Sequence, residues 1–178
     1  SRTPFDPFAT HLDRDRALAI LREATAGAED GELFLEHSVS ESLVFDDGRL
    51  RNSGYTAEQG FGLRAVRGEV TGYAHSTEIS EPALRRAAET ARLAVGQGGG
   101  VLAPPAPMQV RPLYMAADPA EGISFATRIE LLRQIDDYAR SRDPRVVQVT
   151  VSLASSLQQV AILRPEGGLV TDIRPWRG

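Results

Sequence analysis

The chain has 178 residues, enough for one ordinary domain or for two small subdomains that share contacts, and its 42% hydrophobic and 25% charged content is that of a folded globular protein. The formal net charge is −4, and the basic residues are all Arg, interspersed with acids rather than gathered into a stripe, which speaks against a nucleic-acid partner. The absence of Cys excludes disulfides, thiolate-ligated metals and thiol catalysis, and no apolar run reaches the roughly 18–20 residues of a membrane span.

The first helix is expected to start near Asp13, with Ala17, Ile20, Leu21 and Ala24 on one face and Gly27 as its stop. A β-meander of short strands should follow. One strand lies around Leu33 and Leu35, and a second spans Ser42–Asp46. Asp47-Gly48 makes the hairpin turn, because both residues tolerate positive φ, and Leu50 opens the returning strand. A further strand over Gly60–Val66 pairs with one over Glu69–His75. Ser80 caps the next helix and Pro82 sits in its first turn, where a missing N–H costs little. Leu84, Ala87, Ala88, Ala91 and Val95 form its apolar stripe; so many alanines predict close packing on the sheet, and Gly96 ends the helix.

Gln97–Pro107 is rich in Gly and Pro and reads as a linker. The expected organisation is therefore a subdomain at 1–97, a linker at 98–109 and the start of a middle αβ subdomain at 110–178, cut short just after a strand. This second part opens with an extended piece, Val110–Met115. A helix over Ser124–Arg142 follows, with Phe125, Ile129, Leu132, Ile135 and Ala139 along one face and Pro144 beyond its end. Val147, Val149, Val151 and Leu153 alternate with polar residues as a half-buried strand. Leu157–Leu163 is its expected partner, and Glu166-Gly167-Gly168 turns into a last strand, Leu169–Ile173. The fold class is α+β: a mainly antiparallel sheet with helices packed on one face, in two small subdomains.

Catalytic signals are missing. His11, His37 and His75 show no paired metal-ligand spacing, although a three-dimensional site from His37 and His75 is conceivable. There is no G-x-S-x-G elbow. Gly60-Phe61-Gly62 lacks the third glycine and the following helix of a dinucleotide site, and Gly96–Gly100 lacks the Lys of a phosphate loop. Asp46-Asp47 and Asp136-Asp137 read as solvated charge in a turn and on a polar helix face. No residue is expected to be catalytic or to bind metal.

The run Leu43-Val44-Phe45-Asp46-Asp47-Gly48-Arg49-Leu50-Arg51-Asn52-Ser53-Gly54-Tyr55 resembles the early segment of TldD-type proteins of the TldD/PmbA metallopeptidase family. So does Gln59–Ala74, where a glycine-bracketed strand ending in Arg64-Ala65 is followed by Gly68-Glu69 and Thr71-Gly72-Tyr73-Ala74. Leu84–Val95, Pro112-Leu113-Tyr114 with Asp118-Pro119, Leu131–Arg140, Arg145–Thr150 and Thr171–Pro175 also agree, so the likeness runs from about Gly31 to the end. The resemblance implies a cytoplasmic zinc peptidase that matures modified peptides or degrades unfolded ones, paired with a related PmbA/TldE-type subunit. Its zinc motif, H-E-x-x-x-H, is absent here and belongs to the carboxy-terminal half, so this chain would hold no cofactor. It would instead contribute one wall of a peptide channel and part of the subunit interface, with Arg64, Tyr73 and His75 as substrate-binding candidates. The glycines Gly60, Gly62 and Gly72 either permit close approach of substrate backbone or serve as bulges and packing sites. The alternatives are a free-standing, non-catalytic peptide- or protein-binding module, and an independent hydrolase using His37 or His75.

Overall fold

In the computed structural model the described residues are 5–96 and 122–178, so the linker expected at 98–109 and the extended piece at 110–115 lie outside them. In chain order the elements are α1 (Pro7–Thr10), α2 (Arg14–Ala24), β1 (Asp30–Asp46), β2 (Arg49–Arg67), β3 (Val70–Ser76), α3 (Glu81–Val95), α4 (Phe125–Arg142), β4 (Thr150–Leu163) and β5 (Leu169–Arg177). The strands form one antiparallel sheet in the order β3-β2-β1-β4-β5. The α+β class with helices on one face is what the sequence pattern leads to. Because β1 pairs with β4 from Leu33 opposite Leu163 to Asp46 opposite Thr150, the segments on either side of residues 97–121 share that sheet.

Helix starts follow local chemistry. Asp13 accepts a hydrogen bond from the Arg16 N–H, Ser80 from the Ala83 N–H and Ser124 from the Thr127 N–H, each satisfying an otherwise orphaned donor of the first turn. Asp47 and Gly48 both adopt positive φ, 51° and 75°, as the hairpin between β1 and β2 requires. The four-residue helix α1, capped by Asp6, was not foreseen.

Strand lengths differ from expectation. The strands expected around Leu33 and over Ser42–Asp46 are one 17-residue strand, and those from Leu50 and over Gly60–Val66 are one 19-residue strand. The apparent break, Ser38 to Ser42, is polar because alternate residues face a side of the sheet that no described helix covers; Val39 between them is buried. Likewise Leu157–Leu163 is not a partner of the Val151–Leu153 strand but its continuation in β4. Its start shifts to Thr150, leaving Val147 84% exposed. β5 runs on through Pro175 to Arg177, and an edge strand tolerates that proline.

Side chains opposite one another in the ladders share a face. Leu33, Leu35, Leu63, Phe61, Ala161 and Leu163 therefore project together, and they pack against Ile20, Leu21, Leu84 and Ala91 of α2 and α3. Each large side chain buried this way contributes roughly 1.5–3 kcal/mol. The alanine-rich face of α3 does approach closely: a methyl group at Gly72 would collide with the Ala91 carbonyl. A second, smaller cluster forms on the same face at the other end, where Leu132 of α4 meets Leu43 and Phe45.

Helix α4 corrects two expectations. Leu132 is buried, but Phe125 and Ile135, expected on the same buried face, are 50% and 41% exposed. Asp136, read as solvated, is buried, because Arg140 folds over it at 3.0 Å and also reaches Asp47 in the β1–β2 turn. A single helix lying across the end of a sheet touches it along a narrow line, and that line follows Leu132 and Asp136 rather than the full apolar stripe.

Candidate functional site

The face that no described helix covers carries Glu32, Phe34, Glu36, Ser38, Ser40 and Ser42 along β1, opposite Arg64, Gly62, Gly60, Glu58, Thr56 and Gly54 of β2. On β3, Tyr73 stands opposite Arg64 and His75 opposite Gly62. The three residues singled out from sequence, Arg64, Tyr73 and His75, are thus brought together on this face by strand register alone.

Arg64 sits at one end in a four-charge network. Its guanidinium lies 2.7 Å from Asp30 and 3.1 Å from Glu32, and Arg164 from β4's end contacts the same two acids at 2.9 and 3.5 Å. Desolvation works against the Arg64 charge, but Glu32 and Asp30 outweigh it and its pKa is raised. The side chain is held and largely neutralised.

Tyr73 is 59% exposed, and its ring stacks on His75 with centroids 5.8 Å apart and planes at 27°. It leans across Gly62, where an added Cβ would lie 2.7 Å from the Tyr73 hydroxyl oxygen. At Gly60 a Cβ would lie 2.7 Å from the Ser76 carbonyl oxygen. Without side chains at 60 and 62 the β2 backbone accommodates the Ser76 carbonyl and the Tyr73 ring, and a trough of about 650 Å³ lies beside them. Phe34 and Glu36 line one side, Tyr73 and His75 the other, and Glu58 one end. Gly72, by contrast, points to the helix face and is a packing glycine.

His37 and His75 do not come together. His37 projects to the helix side, where Phe5 stacks on it at 5.6 Å, while His75 projects to the open side. Among the described residues no cluster of three or more His, Asp or Glu side chains could hold a metal ion, so these residues do not fit a catalytic zinc.

Sequence reasoning missed Phe34, Glu36 and Glu58 as trough residues. The alternation of Gly60 with Gly62 was the available signal, but which residues flank two glycines depends on the register of β1 against β2.

Comparison with known proteins places this geometry. Residues 31–95 match PmbA/TldA metallopeptidase domain 1, and residues 118–176 match the PmbA/TldA metallopeptidase central domain. The metalloprotease TldD homolog of Buchnera aphidicola subsp. Acyrthosiphon pisum is 33% identical over 164 residues, 92% of this chain and 34% of that protein. The TldD homolog of Haemophilus influenzae is 36% identical over 147 residues, 81% of this chain and 30% of that one. The chain thus spans about a third of the length of these curated relatives. Among solved structures, a Thermotoga maritima protein described as a putative modulator of a DNA gyrase superposes with a TM-score of 0.74 at 16% identity, covering 92% of this chain and 37% of its own. TldE of Thermococcus kodakarensis gives 0.67 at 13% identity, covering 91% and 38%. At such identities these structural likenesses establish the fold.

Proposed function

The chain belongs to the PmbA/TldD metallopeptidase family, corresponding to its N-terminal part, and from that premise we propose that it forms one wall of the peptide channel and part of the subunit interface of a TldD-type zinc peptidase acting on unfolded or modified peptides. The observation that carries this reading is the glycine trough on a sheet face that no described helix covers, beside a β2 edge that no described strand pairs with. β3 pairs with β2 only from Phe61 to Arg67, so β2 from Arg49 to Gln59 has β1 on one side and no described strand on the other. Every residue from Arg49 to Gln59 is exposed. A free edge captures extended peptide through main-chain hydrogen bonds, which gives affinity with little dependence on sequence.

Within this reading Tyr73 and His75 contact substrate, and Arg64, held by Asp30 and Glu32, stands opposite Tyr73 on the same face. Catalysis lies elsewhere: a zinc ion held by an H-E-x-x-x-H helix in the carboxy-terminal part would supply the activated water. The boundary between the two N-terminal subdomains is placed at residues 98–109. The interface role is supported by α4, where Leu131, Ile135 and Tyr138 recur on one helix face at 47%, 41% and 64% exposure, an apolar strip suited to a related PmbA/TldE-type subunit. No described helix is long and apolar enough to cross a membrane, and a cytoplasmic location is part of the proposal.

The test uses the full-length enzyme with its partner subunit. Tyr73→Ala and Arg64→Ala should each raise KM for an unfolded peptide roughly fivefold, about 1 kcal/mol of lost binding, with kcat little changed. An unchanged KM at both positions overturns the channel assignment. The same trough also suits a non-catalytic peptide-binding module; peptide hydrolysis that depends on zinc separates the two.

A further inference from the structure

We infer that the trough over Gly60 and Gly62 is a subsite for a cationic side chain, a lysine or arginine of an extended peptide lying along the open face. The inference rests on the channel reading and adds a chemical preference to it. Most acids around the sheet are matched by an arginine: Asp30 and Glu32 by Arg64 and Arg164, Glu41 by Arg128, Asp47 by Arg140 and Asp172 by Arg174. Glu36 and Glu58, which border the trough, have no ion pair or hydrogen bond among the described residues. They stand diagonally across the β1–β2 ladder, Glu36 opposite Gly60 and Glu58 opposite Ser38. The trough therefore keeps two carboxylates that no arginine matches among the described residues.

Its walls complete the chemistry. Tyr73 and Phe34 line it, and the stacked, exposed Tyr73 ring presents an aromatic surface beside the depression. A cation near an aromatic ring is attracted to the electron-rich face, and nearby carboxylates add to that attraction. The cation nearest in register, Arg64, is already engaged by Asp30 and Glu32, so it would repel an incoming charge little. A long, flexible lysine or arginine stem suits a depression floored by glycine backbone, with its apolar length along Phe34 and its charged head toward the glutamates.

The experiment measures binding to the zinc-stripped full-length protein with its partner subunit, so that no turnover intervenes. Three fluorescent peptides are compared by anisotropy, identical except for a central lysine, norleucine or glutamate. The lysine peptide is expected to bind roughly five- to tenfold more tightly than the norleucine peptide, with the ratio shrinking as salt is raised. In a Glu36→Gln/Glu58→Gln variant, its fold checked by circular dichroism, that ratio should fall to about one. A lysine preference that survives in the variant, equal binding of all three peptides, or a preference for glutamate overturns the inference. If Tyr73→Ala still weakens all three peptides alike, the channel reading stands without the cation subsite. If neither variant alters the binding of any peptide, both readings fall.

Discussion

The two ends of the sheet are held by different physics. Where Leu33, Leu63 and Leu163 converge, α2 and α3 bury them under Leu21, Leu84 and a row of alanines, and fully enclosed apolar side chains do most of the holding, with the Asp30, Glu32, Arg64 and Arg164 network on the other face. At the other end one helix, α4, packs Leu132, with the partly buried Ile129, in one cluster with Leu43 and Phe45, and polar links take over. There Arg140 joins Asp136 to Asp47, Arg128 pairs with Glu41, and Asp46 accepts hydrogen bonds from Thr150 at 2.7 Å and Gln148 at 3.2 Å. Apolar burial is indifferent to ionisation, whereas these links depend on it. The first end should act as the stable nucleus of the fold, and the second as an end that can loosen without unfolding the rest.

The largest effect is expected from Leu84→Ala, which opens a cavity in the fully buried cluster and should cost about 2–5 kcal/mol in urea unfolding. Gly72→Ala should follow, at about 1–3 kcal/mol, because the new methyl meets the rigid Ala91 carbonyl rather than a movable side-chain tip. Leu132→Ala tests whether the two ends are one cooperative unit. It should strip hydrogen-exchange protection from α4 while α2 and α3 keep theirs, and equal loss in all three helices would show that the ends do not act separately.

The smallest effect is the pH response, which sharpens the contrast. Hydrogen bonds from Thr150 and Gln148, with a further contribution from Arg51, hold the Asp46 pKa below its ordinary value of 3.8, and bonds from the Arg145 side chain and N–H lower that of Asp143. A depressed folded-state pKa contributes stability above the unfolded value, and that stability is lost as pH falls from there through the folded value. Acidification below about pH 4 should therefore loosen α4 and the start of β4 first. Asp46→Asn should flatten that acid limb, and hydrogen exchange read separately for α3 and α4 would detect either outcome.

How much of this was legible beforehand varies with the range of the interaction. The cap at Ser80, the helix starts near Asp13 and Ser124, the positive-φ turn at Asp47-Gly48 and the buried stripes of α2 and α3 are local, and each showed in a window of a few residues. Strand continuity did not, because the serines at 38, 40 and 42 look like a loop until one knows that no described helix covers their side of the sheet. The family likeness was also readable, since the order and spacing of its short motifs survive in the chain. The candidate site was readable only in part: Arg64, Tyr73 and His75 stood out, but not the company they keep.

The sequence by itself determined the α+β class, the approximate bounds of the three longer helices and the family, because caps, turns and apolar periodicity act between near neighbours. Tertiary structure decided that β1 lies between β2 and β4, that Asp136 is buried under Arg140, and that His37 and His75 face opposite ways. It also decided that Glu36 and Glu58 border the same glycine trough. These outcomes depend on register between strands distant in the chain. A slip of one residue would turn every side chain to the other face, and no local signal carries that information.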